Sequence, residues 1–228
     1  MTRAKAIFSY ISSVTVSLLF ALSSHAQQLS LPEMEPGDSI PLFNGFAISV
    51  DLVGPIQRLV SDYGQFEAAL RVNLRDRYFP IVEVGLGNAK HDDVVTQFSY
   101  KSTAPYFRLG MDYNLLKDKH DIYRIYGGGR YAVSYFKYDV SHPGVLDPLW
   151  KTVAPIEANG EKGHYHWLEF SIGVDAKIWG PFHMGWSVRY RRRLFYDTGS
   201  TGNVWYVPGY GESGNTRLGG TFNVGIDL

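Results

Sequence analysis

Residues 168–191 read LEFSIGVDAKIWGPFHMGWSVRYR. Leu168, Phe170, Ile172 and Val174 hold alternate positions, with Glu169, Ser171, Gly173 and Asp175 between them. After Trp179-Gly180-Pro181 the alternation resumes, with Met184, Trp186, Val188 and Tyr190 against Gly185, Ser187, Arg189 and Arg191. A period of two is that of a strand, whose successive side chains point to opposite faces. Two such runs joined by a tight turn predict an antiparallel hairpin. One face of this hairpin is apolar and aromatic. The other mixes glycine and serine with full charges.

The same pattern recurs on both sides of this hairpin. Phe46, Ile48, Val50 and Leu52 alternate with Ala47, Ser49 and Asp51. Phe66 to Leu74 sets Phe66, Ala68, Leu70, Val72 and Leu74 against Glu67, Ala69, Arg71 and Asn73. Val82, Val84 and Leu86 oppose Glu83 and Gly85, and Phe107, Leu109, Met111 and Tyr113 oppose Arg108, Gly110 and Asp112. Tyr123, Ile125, Tyr131, Val133 and Tyr135 oppose Arg124, Gly128, Arg130, Ala132 and Ser134. Finally Leu218, Phe222, Val224 and Ile226 oppose Arg217, Gly219, Thr221, Asn223, Gly225 and Asp227. Eight strands are predicted, each long enough for the roughly 9–11 tilted residues of a bilayer crossing.

The connections alternate in length. Arg75–Arg77, Lys117–Asp121 and Trp179–Pro181 are short, whereas Asn88–Thr103, Ser141–Gly163 and Phe195–Gly214 are long and rich in glycine, proline and polar residues. Pro55–Val60, in the first connection, suits one helical turn. Short turns at one end and long loops at the other are the layout of outer-membrane barrels, with both termini on the periplasmic side. A soluble sandwich or lipocalin-type barrel also alternates, but its apolar face turns inward. Small residues interleaved with Arg, Asp and Glu favour the membrane reading, because an eight-stranded barrel is only just wide enough for side chains to fill. Spanning lipid also requires an edgeless sheet. The expected fold is all-β: an eight-stranded antiparallel transmembrane β-barrel with short periplasmic turns and long extracellular loops.

Export is expected from the first residues. Arg3 and Lys5 precede an apolar stretch from Ala6 to Leu22, and Ser24-His25-Ala26 offers small residues for cleavage before Gln27. This is the layout of a secretory signal peptide over residues 1–26. Residues 27–43, with Pro32, Pro36 and Pro41, read as an irregular lead-in, and 44–228 as the barrel. The chain has 228 residues, with 22 basic and 22 acidic side chains, so its near-neutral charge gives no reason to expect nucleic acid. It has no cysteine, which excludes disulfides, thiolate metal sites and a cysteine lipid anchor. Aromatic residues make up 15% and there are 24 glycines, a composition suited to aromatic girdles at two membrane interfaces.

The runs FEAALRVNLRDRYFPIVEVGLGN (66–88), YFRLGMDYNLL (106–116), YGGGRYAVSYF (126–136), HWLEFSIGVDAKIWGPFHMGWSVRYRRRL (166–194) and YVPGYGESGNTRLGGTFNVG (206–225) resemble an uncharacterised family of outer-membrane β-barrel proteins of Bacteroidetes-type Gram-negative bacteria. The resemblance covers roughly residues 44–228. It implies fold and outer-membrane location; no activity comes with it.

Alternation places Asp51, Glu67, Glu83, Asp112, Glu169, Asp175 and Asp227 on the lumen face with Arg71, Arg108, Arg124, Arg130, Lys177, Arg189 and Arg191. Buried charges are costly unless paired, so a plug of ion pairs is expected, with a narrow pore as the alternative. His164 and His166 share one face where the second long loop enters its strand; a metal site with Asp147 or Glu161 would need more ligands than these two imidazoles supply. No cofactor is expected. Arg192 faces outward near the outer end, where lipopolysaccharide phosphates are available as acceptors. Trp150, Trp205, Tyr206 and Tyr210 in the long loops are candidate anchors for an unknown protein or glycan partner. An outer-rim hydrolase built from His142, His164, His166, Asp147, Ser200 or Ser213 is the enzyme alternative, but no Gly-x-Ser-x-Gly motif occurs and no enzyme is expected.

Overall fold

The computed structural model describes residues 41–146, 149, 153–200, 202 and 204–228. The signal and most of the lead-in therefore lie outside the described residues. The chain forms β1 (Phe43–Asp51), α1 (Val53–Val60), β2 (Tyr63–Leu74), β3 (Tyr78–Asp92), β4 (Ser99–Asn114), β5 (Tyr123–Leu146), β6 (Val153–Trp179), β7 (Phe182–Asp197), β8 (Tyr206–Val207), β9 (Gly211–Glu212) and β10 (Thr216–Asp227). Eight of the strands close into one antiparallel barrel in the order β1-β10-β7-β6-β5-β4-β3-β2, and β8 and β9 form a separate small hairpin. The seam joins the first and last strands of the barrel: Ala47 pairs with Asp227, and Asp51 with Asn223.

The expected helical turn between the first two strands is α1. Asp51 starts it, its carboxylate accepting from the amides of Val53 (3.1 Å) and Gly54 (2.9 Å), which satisfies donors that a first helical turn leaves free.

Two of the expected long loops prove to be mostly strand. β3 and β4 stay paired as far as Asp92 and Ser99, within the segment Asn88–Thr103. β5 and β6 stay paired to Leu146 and Val153, within Ser141–Gly163. The β5–β6 ladder absorbs its turn-forming residues in register shifts between Tyr138 and Val140 and between His142 and Val145, which accommodate Pro143-Gly144. At 24 and 27 residues these strands are more than twice what a crossing requires, so their hairpin stands beyond the apolar belt.

The distribution of polarity is inverted relative to a soluble core. Leu109 (54%), Phe170 (56%) and Trp186 (54%) are exposed on the outside, while Arg108 and Glu169 are fully buried inside (0%). Leu70 and Phe222 face outward with them. Outward aromatic residues gather at both ends of this belt. Tyr78, Tyr123, Trp179 and Phe182 stand towards the short turns, and Tyr131, Tyr135, Tyr190 and Phe195 towards the loops.

Candidate functional site

The interior is built in three tiers. The middle tier is a lattice of arginine and carboxylate. Glu83, from β3, accepts from Arg108 on β4 (3.2 Å), Arg130 on β5 (3.0 Å) and Arg189 on β7 (3.2 Å). Arg189 also reaches Glu67 (2.9 Å) and Glu169 (3.2 Å), and Arg191 donates to Glu169 (2.9 Å). Arg108 joins Glu67, which also accepts from the Tyr106 hydroxyl (2.7 Å). Arg130 reaches Asp112 (3.1 Å), and Arg71 reaches Asp175 (2.8 Å), which Arg124 also contacts. Charges from six strands are thus tied across the bore.

Interior glycines give these groups room. A Cβ on Gly128 would lie 2.0 Å from an Asp112 carboxylate oxygen, and one on Gly85 would lie 2.3 Å from the Tyr106 ring.

The upper tier is aromatic. Tyr100, Tyr106, Phe136, Tyr138, Tyr165 and Trp167 line the bore above the lattice and are all buried. The segment between β7 and β10 folds down among them, burying Val204, Tyr206, Val207 and Tyr210. Its backbone is held from below: Arg108 donates to the Gly209 carbonyl (2.8 Å) and Arg191 to the Tyr210 carbonyl (2.8 Å). Tyr100 donates to the Tyr206 carbonyl (2.6 Å). Gly209 has φ +81°, and a Cβ there would sit 2.4 Å from the Tyr106 ring, so both conformation and contact require glycine.

The lower tier is a vestibule of about 410 Å³ open at the short-turn end, lined among others by Arg71, Arg124, Asp175, Lys177, His183 and Asp227. At its rim Asp76 accepts from Asn73 and Asn44 and contacts His120 (2.8 Å). Partial burial works against its charge, but these hydrogen bonds prevail and hold the carboxyl below its ordinary range.

Several sequence-predicted residues fall elsewhere than expected. Asp51 is on the inner face but serves α1 and the Phe222 amide (3.1 Å), not an arginine. Lys177 and Asp227 face each other at the mouth, 3.7 Å apart and about half exposed, outside the buried lattice. The largest correction concerns Tyr206 and Tyr210. They are fully buried, not free anchors, because the loop that carries them finds its apolar partners inside the barrel. Trp205 is committed as well, stacked on His91 at 4.2 Å and edge-on to Tyr63 at 5.7 Å. Trp150 and Asp147 lie outside the described residues.

His164 and His166 face outward among Tyr131, Tyr135 and Phe195, and His166 Nδ1 shares a 2.6 Å hydrogen bond with Tyr131. Among the described residues no cluster of three His, Cys, Asp or Glu side chains is placed to hold a metal. The other hydrolase candidates are scattered: His142 packs against Phe98 and accepts from the Gly144 amide, while Ser213 pairs with Tyr165 (2.9 Å). Arg192 is exposed on the outer surface.

His183 and Tyr106 escaped the sequence reading. Both lie on the inward parity of their strands, and that parity alone would have placed them in the lumen. Their partners, Asp175 (3.0 Å) and Glu67, come from other strands and carry no local signal.

The chain matches, over residues 6–227, the family model described as a domain of unknown function (DUF6048), and it belongs to that family. No curated protein matches it. Among solved structures it is similar to the N-terminal β-barrel domain of Pseudomonas aeruginosa OprF, at 10% identity over 82% of this chain and 99% of that one, TM-score 0.36. It is similar to Ail, the attachment invasion locus protein of Yersinia pestis, solved with the heparin analogue sucrose octasulfate, at 10% identity over 80% and 93%, TM-score 0.36. It is also similar to a major outer membrane protein from Thermus thermophilus, at 13% identity over 81% and 98%, TM-score 0.43.

Proposed function

We propose that the chain is an exported outer-membrane barrel of a Bacteroidetes-type Gram-negative cell, that its lumen does not conduct, and that it acts through its outer rim. One observation carries this reading: a belt of exposed Leu, Val, Phe and Trp surrounds an interior of buried arginine and carboxylate. In water that arrangement would expose the apolar face and bury charge for no gain, whereas in lipid both faces are satisfied. A closed sheet leaves no edge unpaired in hydrocarbon.

The bore is blocked twice, by the ion-pair lattice and by the folded-in segment above it, which favours a structural or surface-interaction role over a pore. The dispersal of the histidine and serine candidates favours a non-enzymatic role. Partners are then outer-membrane lipid, with Arg192 toward lipopolysaccharide phosphate, and a protein or glycan at the β5–β6 hairpin.

In a planar bilayer the purified protein is expected to insert without steady current; large, stable channel steps would show an open pore instead. With residues 1–26 cleaved and an even strand number, both termini belong in the periplasm. A peptide tag inserted at Gly160, at the β5–β6 end, is expected to bind antibody on intact cells. A tag that becomes accessible only after the outer membrane is broken would reverse the orientation.

A further inference from the structure

The outer surface carries a cluster of charge that the lumen network does not use. Lys90 on β3 and Lys101 on β4 stand directly opposite each other in the ladder. Lys137 on β5 and Lys162 on β6 do the same. All four are exposed and lie on the outward parity of their strands, above Leu86, Phe107 and Tyr135. Lys101 is opposite Asp139, two residues along from Lys137, so the two pairs are diagonal neighbours on one face.

Like charges directly opposed across a ladder are destabilising. Here the arrangement occurs twice side by side, and among the described residues none of the four lysines forms an ion pair. Two acids, Asp139 and Asp92, share this face, but neither makes an ion pair with the lysines. Asp139 accepts from the Gly160 amide (2.8 Å), and Asp92 from the Ser99 hydroxyl (2.5 Å). A phosphate between two opposed ammonium groups turns each repulsive pair into a charge-assisted clamp. The two pair centres are two strand spacings apart across the sheet and two residues apart along it, roughly 12 Å in all.

We infer that this patch on β3–β6 seats a phosphorylated glycolipid of the outer leaflet, one phosphate per lysine pair, with its acyl chains along Leu86, Phe107 and Tyr135 below. The inference rests on the membrane reading given above, and the patch's position directly over the apolar belt favours a lipid phosphate over a soluble one. Arg192, on β7, lies lower and apart and is not needed for the clamp.

The test compares the full mature barrel with a K90Q/K101Q/K137Q/K162Q variant in phosphatidylcholine nanodiscs. The additions are a bisphosphorylated lipid A, the same lipid dephosphorylated, or inorganic phosphate. The wild type is expected to gain roughly 5 °C in melting temperature with the bisphosphorylated lipid only. The variant, relieved of both repulsive pairs, is expected to melt at or slightly above the wild type in phosphatidylcholine and to gain nothing further from the phosphorylated lipid. An equal gain in the variant, no gain in the wild type, or a gain reproduced by inorganic phosphate would overturn the lipid site while leaving the barrel reading intact. Failure of the wild type to enter any bilayer would instead overturn the membrane reading, and the lipid site with it.

Discussion

Replacing Glu83 with alanine is expected to lower the unfolding free energy by about 3–5 kcal/mol, the range for removing one partner from a buried charge network. Glu83 is 1% exposed and is shared by Arg108, Arg130 and Arg189, so its loss leaves three guanidinium groups facing each other without their common counter-charge. Glu83→Gln preserves the shape and removes only the charge, so it should lose nearly as much. Glu157→Ala, on the exposed part of the β5–β6 hairpin, should change stability by less than about 0.5 kcal/mol. Guanidinium unfolding in lipid vesicles, followed by tryptophan fluorescence, measures all three. If the Glu83 variants unfolded with the Glu157 control, the lattice would be an incidental contact set and would not hold the bore closed.

Leu109→Arg should cost about 2–4 kcal/mol, as a charge placed on the lipid face near the membrane midplane. Leu109 is next to Arg108, which is buried with Glu67 and Glu83 as its counter-charges. One position along the strand exchanges a paired guanidinium for one in hydrocarbon. The same unfolding assay applies, with Leu109→Met as the apolar control. An arginine tolerated at 109 in a bilayer would mean that the exposed belt does not meet lipid, and the outer-membrane reading would fall.

Much of this architecture is local and therefore legible. A strand's two-residue period sorts side chains by parity, so Leu109 and Phe170 outside and Arg108 and Glu169 inside follow from sequence position alone. The short turn at Trp179–Pro181 and the helical segment after Asp51 were legible for the same reason, since turn and helix signals act over a few residues. Parity says which face a residue occupies, but it cannot say how high it sits or what stands opposite. Asp51, Lys177 and Asp227 all have the lumen parity, yet one serves a helix and two meet at the mouth.

The amino-acid sequence by itself determined the strand count of the barrel, the inward and outward faces and the concentration of charge in the lumen. Each follows from backbone geometry repeating every two residues. Only the tertiary structure decided which arginine meets which carboxylate, that the segment bearing Tyr206 and Tyr210 packs inside the barrel, and that Lys90 faces Lys101 while Lys137 faces Lys162. Those pairings depend on register between strands and on the closure of the sheet. Contacts such as Glu67 with Arg189 join residues 122 apart in the chain, a separation at which no local pattern specifies a partner.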